Sequence, residues 1–149
     1  MNFDQSMFVI LFSFFNLFVF LWSLYQCNKY RNNLGITYIF LPLGIFVWAD
    51  GVVFGLFWFF AGMISLYLSD WILFLLTFSV FWLVRSLGET IYYFNQQFST
   101  VKRMPGKELP GYKIFNDEYT IWFVYQIVAQ SITVISIITS VYLFKLWLG

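Results

Sequence analysis

Residues 38–98 read YIFLPLGIFVWADGVVFGLFWFFAGMISLY, then LSD, then WILFLLTFSVFWLVRSLGETIYYFNQQF. The flanking runs are apolar almost without interruption, and only Leu68, Ser69 and Asp70 separate them. About 20 apolar residues at 1.5 Å each cross a hydrocarbon core of roughly 30 Å, so this stretch reads as two membrane spans joined by a tight hairpin. A transmembrane barrel is excluded, because barrel strands alternate between lipid and lumen and these runs do not. Ser69 and Asp70 suit the N-cap of the later span, where their oxygens accept orphan N–H groups.

Working outward, a further apolar run covers about residues 7–25 before the quoted stretch and another about 119–147 after it. With 38–67 and 71–98 they make four spans, and the expected fold is an all-α membrane protein. Its form is a four-helix transmembrane bundle, one domain over residues 1–149 with a hairpin between helices 2 and 3. The composition agrees, since 61% hydrophobic and 10% charged residues lie far from soluble usage. Residues 1–6 hold Asp4 and no Lys or Arg. A cleaved signal peptide wants a basic start, so the first span is expected to remain as an anchor.

Lys29, Arg31, Lys102, Arg103, Lys107 and Lys113 all fall in the loops 27–37 and 99–118, whereas Lys145 alone lies on the opposite side. Basic residues stay cytoplasmic during insertion, which puts both termini on the non-cytoplasmic side of a plasma or inner membrane. In the second loop, Pro105-Gly106 and Pro110-Gly111 mark turns. Asp117 and Glu118 then sit at the positive end of the fourth helix. Trp22, Trp71, Trp122 and Trp147 lie near span ends, where the amphipathic ring anchors at the headgroups. Trp48, Trp58 and Trp82 lie deeper, as packing residues.

The basic residues form no continuous face, so nucleic acid is not an expected partner. Histidine is absent and Cys27 is the lone cysteine, which removes intrachain disulfides, CxxC redox chemistry and the usual zinc sets. No cofactor is implied. The expected partners are the lipid bilayer and either further copies of the chain or a membrane partner subunit.

Polar and small residues recur at helical spacing, on faces that turn from lipid. Ser13, Asn16, Ser23 and Cys27 align in the first span, and Gln126, Gln130, Thr133 and Ser140 in the fourth, with interhelical hydrogen bonds as their expected role. Gly44, Gly51, Gly55 and Gly62 share a face of the second, with Gly51 and Gly55 in GxxxG spacing. A close backbone approach is expected there, by the third or fourth span or by another subunit.

Asp50, Arg85 and Glu89 break the apolar pattern. A charge at mid-bilayer costs at least about 2.5 kcal/mol, so such groups face the bundle and find partners. Counted at 1.5 Å per residue, Asp50 lies about 18 Å from Tyr38, while Arg85 and Glu89 lie about 22 and 28 Å from Asp70. Side chains lean toward their own N-terminus, which brings Asp50 and Arg85 together, with Glu89 one turn from Arg85. Asn16, Gln126 and Gln130 complete the expected polar core. Two functions suit it: a small oligomeric transporter or channel lined by Asp50 and Arg85, or an accessory or scaffold subunit whose polar core is structural. No nucleophile–base pair marks an enzyme.

Overall fold

The structure, a computed structural model, describes residues 1–35, 39–100 and 105–149. Its regular elements among these residues are helical: α1 (Phe3–Tyr30), α2 (Trp48–Tyr67), α3 (Trp71–Phe98), the single turn α4 (Tyr112–Phe115) and α5 (Glu118–Leu148). All but α4 are long and apolar enough to cross a membrane. The chain divides into two compact units, residues 1–77 and 78–149, with the boundary inside α3.

In the first unit α1 starts from a capping box. Asn2 accepts the Gln5 N–H at 2.9 Å, and the Gln5 side chain accepts the Asn2 N–H at 3.0 Å. The helix buries one narrow stripe, Val9, Ser13, Asn16, Val19 and Ser23, against α2. The opposing surface of α2 is Gly51, Gly55 and Gly62. A Cβ on Gly55 would lie 2.8 Å from the Phe20 nitrogen and 2.9 Å from the Asn16 carbonyl oxygen, so the backbones touch. At Gly51 and Gly62 the place of a Cβ is taken by the hydroxyls of Ser23 and Ser13. The glycine face therefore meets α1, a partner the sequence reading did not weigh.

The largest departure from that reading lies before α2. The span 38–67, where Pro42 allows a tilt, a kink or an opening turn, has its helix only from Trp48, and Tyr38 lies outside the described residues. Pro42 sits in a short 3₁₀ turn, Leu41–Leu43, and Gly44 ends it at φ 73°, a left-handed conformation that glycine adopts without cost. Gly44 is thus a turn residue rather than part of the helical glycine face. The turn also lies deep. Leu43 accepts a hydrogen bond from Trp58 Nε1 at 3.2 Å, and Trp58 is ten residues into α2. That is about 15 Å along the axis, less the lean of the ring toward its own N-terminus. Phe40 packs on Phe15 and Trp22, at 6.1 and 5.5 Å, midway along α1. Gly35 and Trp48 are joined at the start of α2, where the Gly35 carbonyl accepts the Trp48 N–H at 3.0 Å. The described residues Phe40–Val47 thus lie beside the middle of α1, touch Trp58 through Leu43 and lead back to the start of α2, as a re-entrant turn.

Backbone that leaves the helix in an apolar medium must find other acceptors for its N–H groups. Here Leu43 donates to Phe40, Gly44 to Leu41, Ile45 to Phe40, Trp48 to Gly35 and Ala49 to Asn33, at 2.9–3.4 Å. Phe46 and Val47 donate to the Asp50 carboxylate at 3.0 and 3.3 Å. Every N–H from Leu43 to Ala49 is thereby satisfied, and Phe40, Leu43 and Ile45 are buried.

Leu68, Ser69 and Asp70 connect α2 to α3, with Ser69 at φ 52°. Asp70 caps α3 by accepting the Leu73 N–H at 2.9 Å, and the Met1 ammonium donates to the Ser69 carbonyl at 2.9 Å.

In the second unit, α3 from Phe78 onward meets α5 through small residues. Ser79 and Ser86 on α3 and Ala129, Ser136 and Ser140 on α5 are buried. Ser79 donates to the Ser136 carbonyl at 3.1 Å and lies 2.9 Å from the Ser140 hydroxyl, while Thr133 donates to Ser86 at 2.8 Å. These bonds are interhelical, as expected. Ser13, Ser65, Thr77 and Thr90 instead return their hydroxyl protons to the carbonyl four residues back, which satisfies them within their own helix.

Residues 105–116 fold over one end of this pair. Tyr93, Leu109, Ile121, Trp122 and Ala129 form a core there, and Gly106 lies so close to Glu118 and Trp122 that a Cβ would collide. Trp122 is fully buried beneath this cover, so it packs as a core residue and is not the interfacial anchor expected from its position. Lys102 and Arg103 lie outside the described residues.

Candidate polar sites

Asp50 owes its position to the start of α2. Because the helix begins at Trp48, the acid falls in the first turn, where its negative charge complements the helix dipole and its Oδ2 receives the Phe46 and Val47 N–H groups. Counting from Tyr38 as helix misplaces it, since the intervening chain does not advance by 1.5 Å per residue. The carboxylate is half-buried and has a definite task, which is to tie the end of the re-entrant turn to the helix that follows.

Asn16 is wholly buried against the glycines of α2. Its Nδ2 donates to the Phe12 carbonyl at 2.8 Å, while its Oδ1 and the Ser23 hydroxyl find no hydrogen-bond partner among the described residues. The Ser23 hydroxyl lies against Gly51 of α2, whose Cα–H groups are weak donors.

In the second unit Arg85 and Glu89 pair at 3.0 Å, one turn apart on α3, with side chains 19% and 14% exposed. The sequence reading anticipated this contact but not its continuation. Tyr93 follows on the same face, within electrostatic reach of Glu89, Gln97 donates to the Tyr93 carbonyl at 3.3 Å, and Gln97 reaches Gln126 on α5 at 2.6 Å. Residues 85, 89, 93 and 97 thus form one ladder at four-residue spacing, a periodicity visible in the sequence once each member is known to be polar at its tip. Gln126 belongs to this ladder. Gln130, grouped with it in the expected core, is instead exposed on the surface of α5. Close packing against α3 selects small side chains, and Ala129, Thr133 and Ser136 hold that face, leaving Gln130 turned away.

Electrostatically, the Arg85–Glu89 pair is neutral as a unit. Its half-buried setting strengthens the attraction relative to water. Buried without hydrogen bonds in the same unit, among the described residues, are Gln96 Oε1 and Trp122 Nε1. Among the described residues no group of three His, Cys, Asp or Glu side chains comes together as metal ligands.

The chain matches no family model, no curated protein and no solved structure.

Proposed function

We propose that this chain is a small membrane transporter or channel, in which the re-entrant turn and the charged groups Asp50, Arg85 and Glu89 line the route. The supporting observation is non-helical backbone, Phe40 to Val47, held beside the middle of α1 and α2. In membranes such backbone is found where protein buries it or where it borders a water-filled cavity, and interrupted helices supply backbone dipoles to ion and substrate sites. The reading includes a four-helix bundle, both termini non-cytoplasmic, and Asp50 sharing a polar core with Arg85.

The test is reconstitution of the purified protein into liposomes with proton and cation flux assays. An Asp50→Asn protein that folds normally yet loses pH-dependent flux supports the route. The second reading is an accessory or scaffold subunit, favoured by the way Asp50 caps backbone and Arg85 pairs locally with Glu89. A protein silent in every flux assay that co-purifies with one membrane partner would establish it. Orientation is read by cysteine labelling at Lys107 and Ser69, both exposed, which should react from opposite sides. Non-additive stability changes at Asp50 and Arg85 would support the shared core, and additive ones would remove it.

A further inference from the structure

The exposed surface of α5 carries one side chain that its surroundings do not suit. About a third of a turn from the face that meets α3 runs a second stripe: Phe123, Ile127, Gln130, Val134, Ile137 and Val141, in alternating steps of four and three. Its five apolar members are 43–56% exposed, and Gln130 is exposed among them. Gln130 stands twelve residues into the helix, about 18 Å from its start, where a membrane-spanning α5 meets lipid tails.

Apolar side chains at this level are at home in lipid, but an amide is not, because hydrocarbon offers neither donor nor acceptor. The other exposed polar groups nearby have solved the problem internally. Ser131 and Thr139 each donate to the carbonyl four residues back, at 2.9 Å. Gln130 makes no hydrogen bond among the described residues and is exposed.

We infer that α5 pairs with α5 of a second copy of this chain along this stripe, with the two Gln130 amides bonded to each other. The occupant is chosen by complementarity. A primary amide carries a partial negative oxygen and a partial positive NH2, so its best partner is another amide presented in reverse sense, and a two-fold axis supplies that arrangement. The four-three spacing is the seam along which two helices wrap with left-handed crossing. One polar position in such a seam fixes register and the number of strands. Two copies inserted with the same orientation bring their Gln130 residues to the same depth. The inference stands whether or not the chain transports anything.

The test uses the full-length protein in liposomes of phosphatidylcholine and phosphatidylglycerol, with subunits per particle counted by single-molecule photobleaching as the protein is diluted in lipid. Gln130→Leu, on an exposed position, should leave helix content unchanged and weaken the dimer by about ten-fold, the scale of one interhelical polar bond. In a Cys27→Ser background, single cysteines at Val134 and Ile137 should cross-link between copies, while those at Val128 and Ile135 should not. An unchanged dimer in Gln130→Leu would overturn the inference. So would a monomer at every dilution, which would leave the stripe to a different partner, or cross-linking without regard to face.

Discussion

The indole of Trp58 donates to the carbonyl of Leu43 at 3.2 Å, so a residue from the middle of α2 holds the backbone of the turn that precedes it. Leu43 is a buried member of the 3₁₀ turn, so its carbonyl depends on this donor.

Trp58→Phe keeps an aromatic ring in the same place and removes this donor. It is expected to lower stability by about 1–3 kcal/mol, the cost of stranding a buried carbonyl. Amide exchange should quicken in residues 43–47 before it does in α1. Equal exchange in both proteins would mean that packing alone holds the turn.

The glycines of α2 give a graded series. Gly55→Ala sets a Cβ against backbone atoms of Phe20 and Asn16, which cannot yield, and is expected to cost roughly 1–3 kcal/mol or to part the helices. Gly62→Ala meets chiefly the Ser13 hydroxyl, so Ser13→Ala in the same chain should recover much of the loss. Gly88, with nothing within 4 Å of a Cβ, should accept Ala with neutral effect or a gain of up to about 1 kcal/mol. Thermal melting in one detergent, for all four proteins, decides the order.

Arg85 and Glu89 predict a coupling. Arg85→Gln and Glu89→Gln each leave one half-buried charge without this partner, whereas the double change removes both. The cycle should close with an interaction energy of about 0.5–3 kcal/mol. Additive losses would show that the 3.0 Å pair contributes nothing to folding.

At the start of α5 the prediction concerns pH. Asp117 caps the helix by accepting from the Thr120 hydroxyl and from the Thr120 N–H at 2.7 Å, bonds that hold its carboxyl below its ordinary value. A carboxylate more acidic in the folded state contributes stability above its unfolded pKa, and that contribution is lost as pH falls through the folded one. Protection of the Thr120 amide should therefore decline in acid. Asp117→Asn should keep the cap and flatten this dependence, since an asparagine oxygen accepts equally well without titrating. A decline of the same size in Asp117→Asn would assign it elsewhere.

The limits of hydropathy reading show at particular residues. Trp71 and Phe98 bound α3 where the apolar run is bounded, because one unbroken helix satisfies every backbone group and hydropathy then tracks it. The run from Phe40 to Val47 is just as apolar, yet it is not helical. Hydropathy reports the solvent a segment prefers and is silent on whether its N–H groups go to their own helix, to Asn33 and Gly35, or to Asp50. Pro42 signals a tilt, a kink or an opening turn in this span, and the structure has the turn; Gly44, grouped with the glycine face by spacing, closes it. The same blindness separates Gln126 from Gln130. Spacing of four residues puts both on one broad face, but which part of that face turns inward depends on where α3 finds Ala129 and Ser136 small enough to approach.

Each unit is an unbroken length of chain, and their boundary at Thr77 and Phe78 lies within a single helix. Synthesis proceeds from the N-terminus at about 5–20 residues per second, so the contacts of α1 with α2 are available before any of α5 has been made. Early biogenesis can thus complete the glycine–serine zipper and the turn locked by Trp58 as a finished hairpin. The later half of α3 has to wait. Until Ser136 and Ser140 emerge from the ribosome, Ser79 has neither of its two α5 partners. Between those two moments α3 is settled at its first turns and unsatisfied along the rest, and this is the interval in which a chaperone or the insertion machinery would have most to hold.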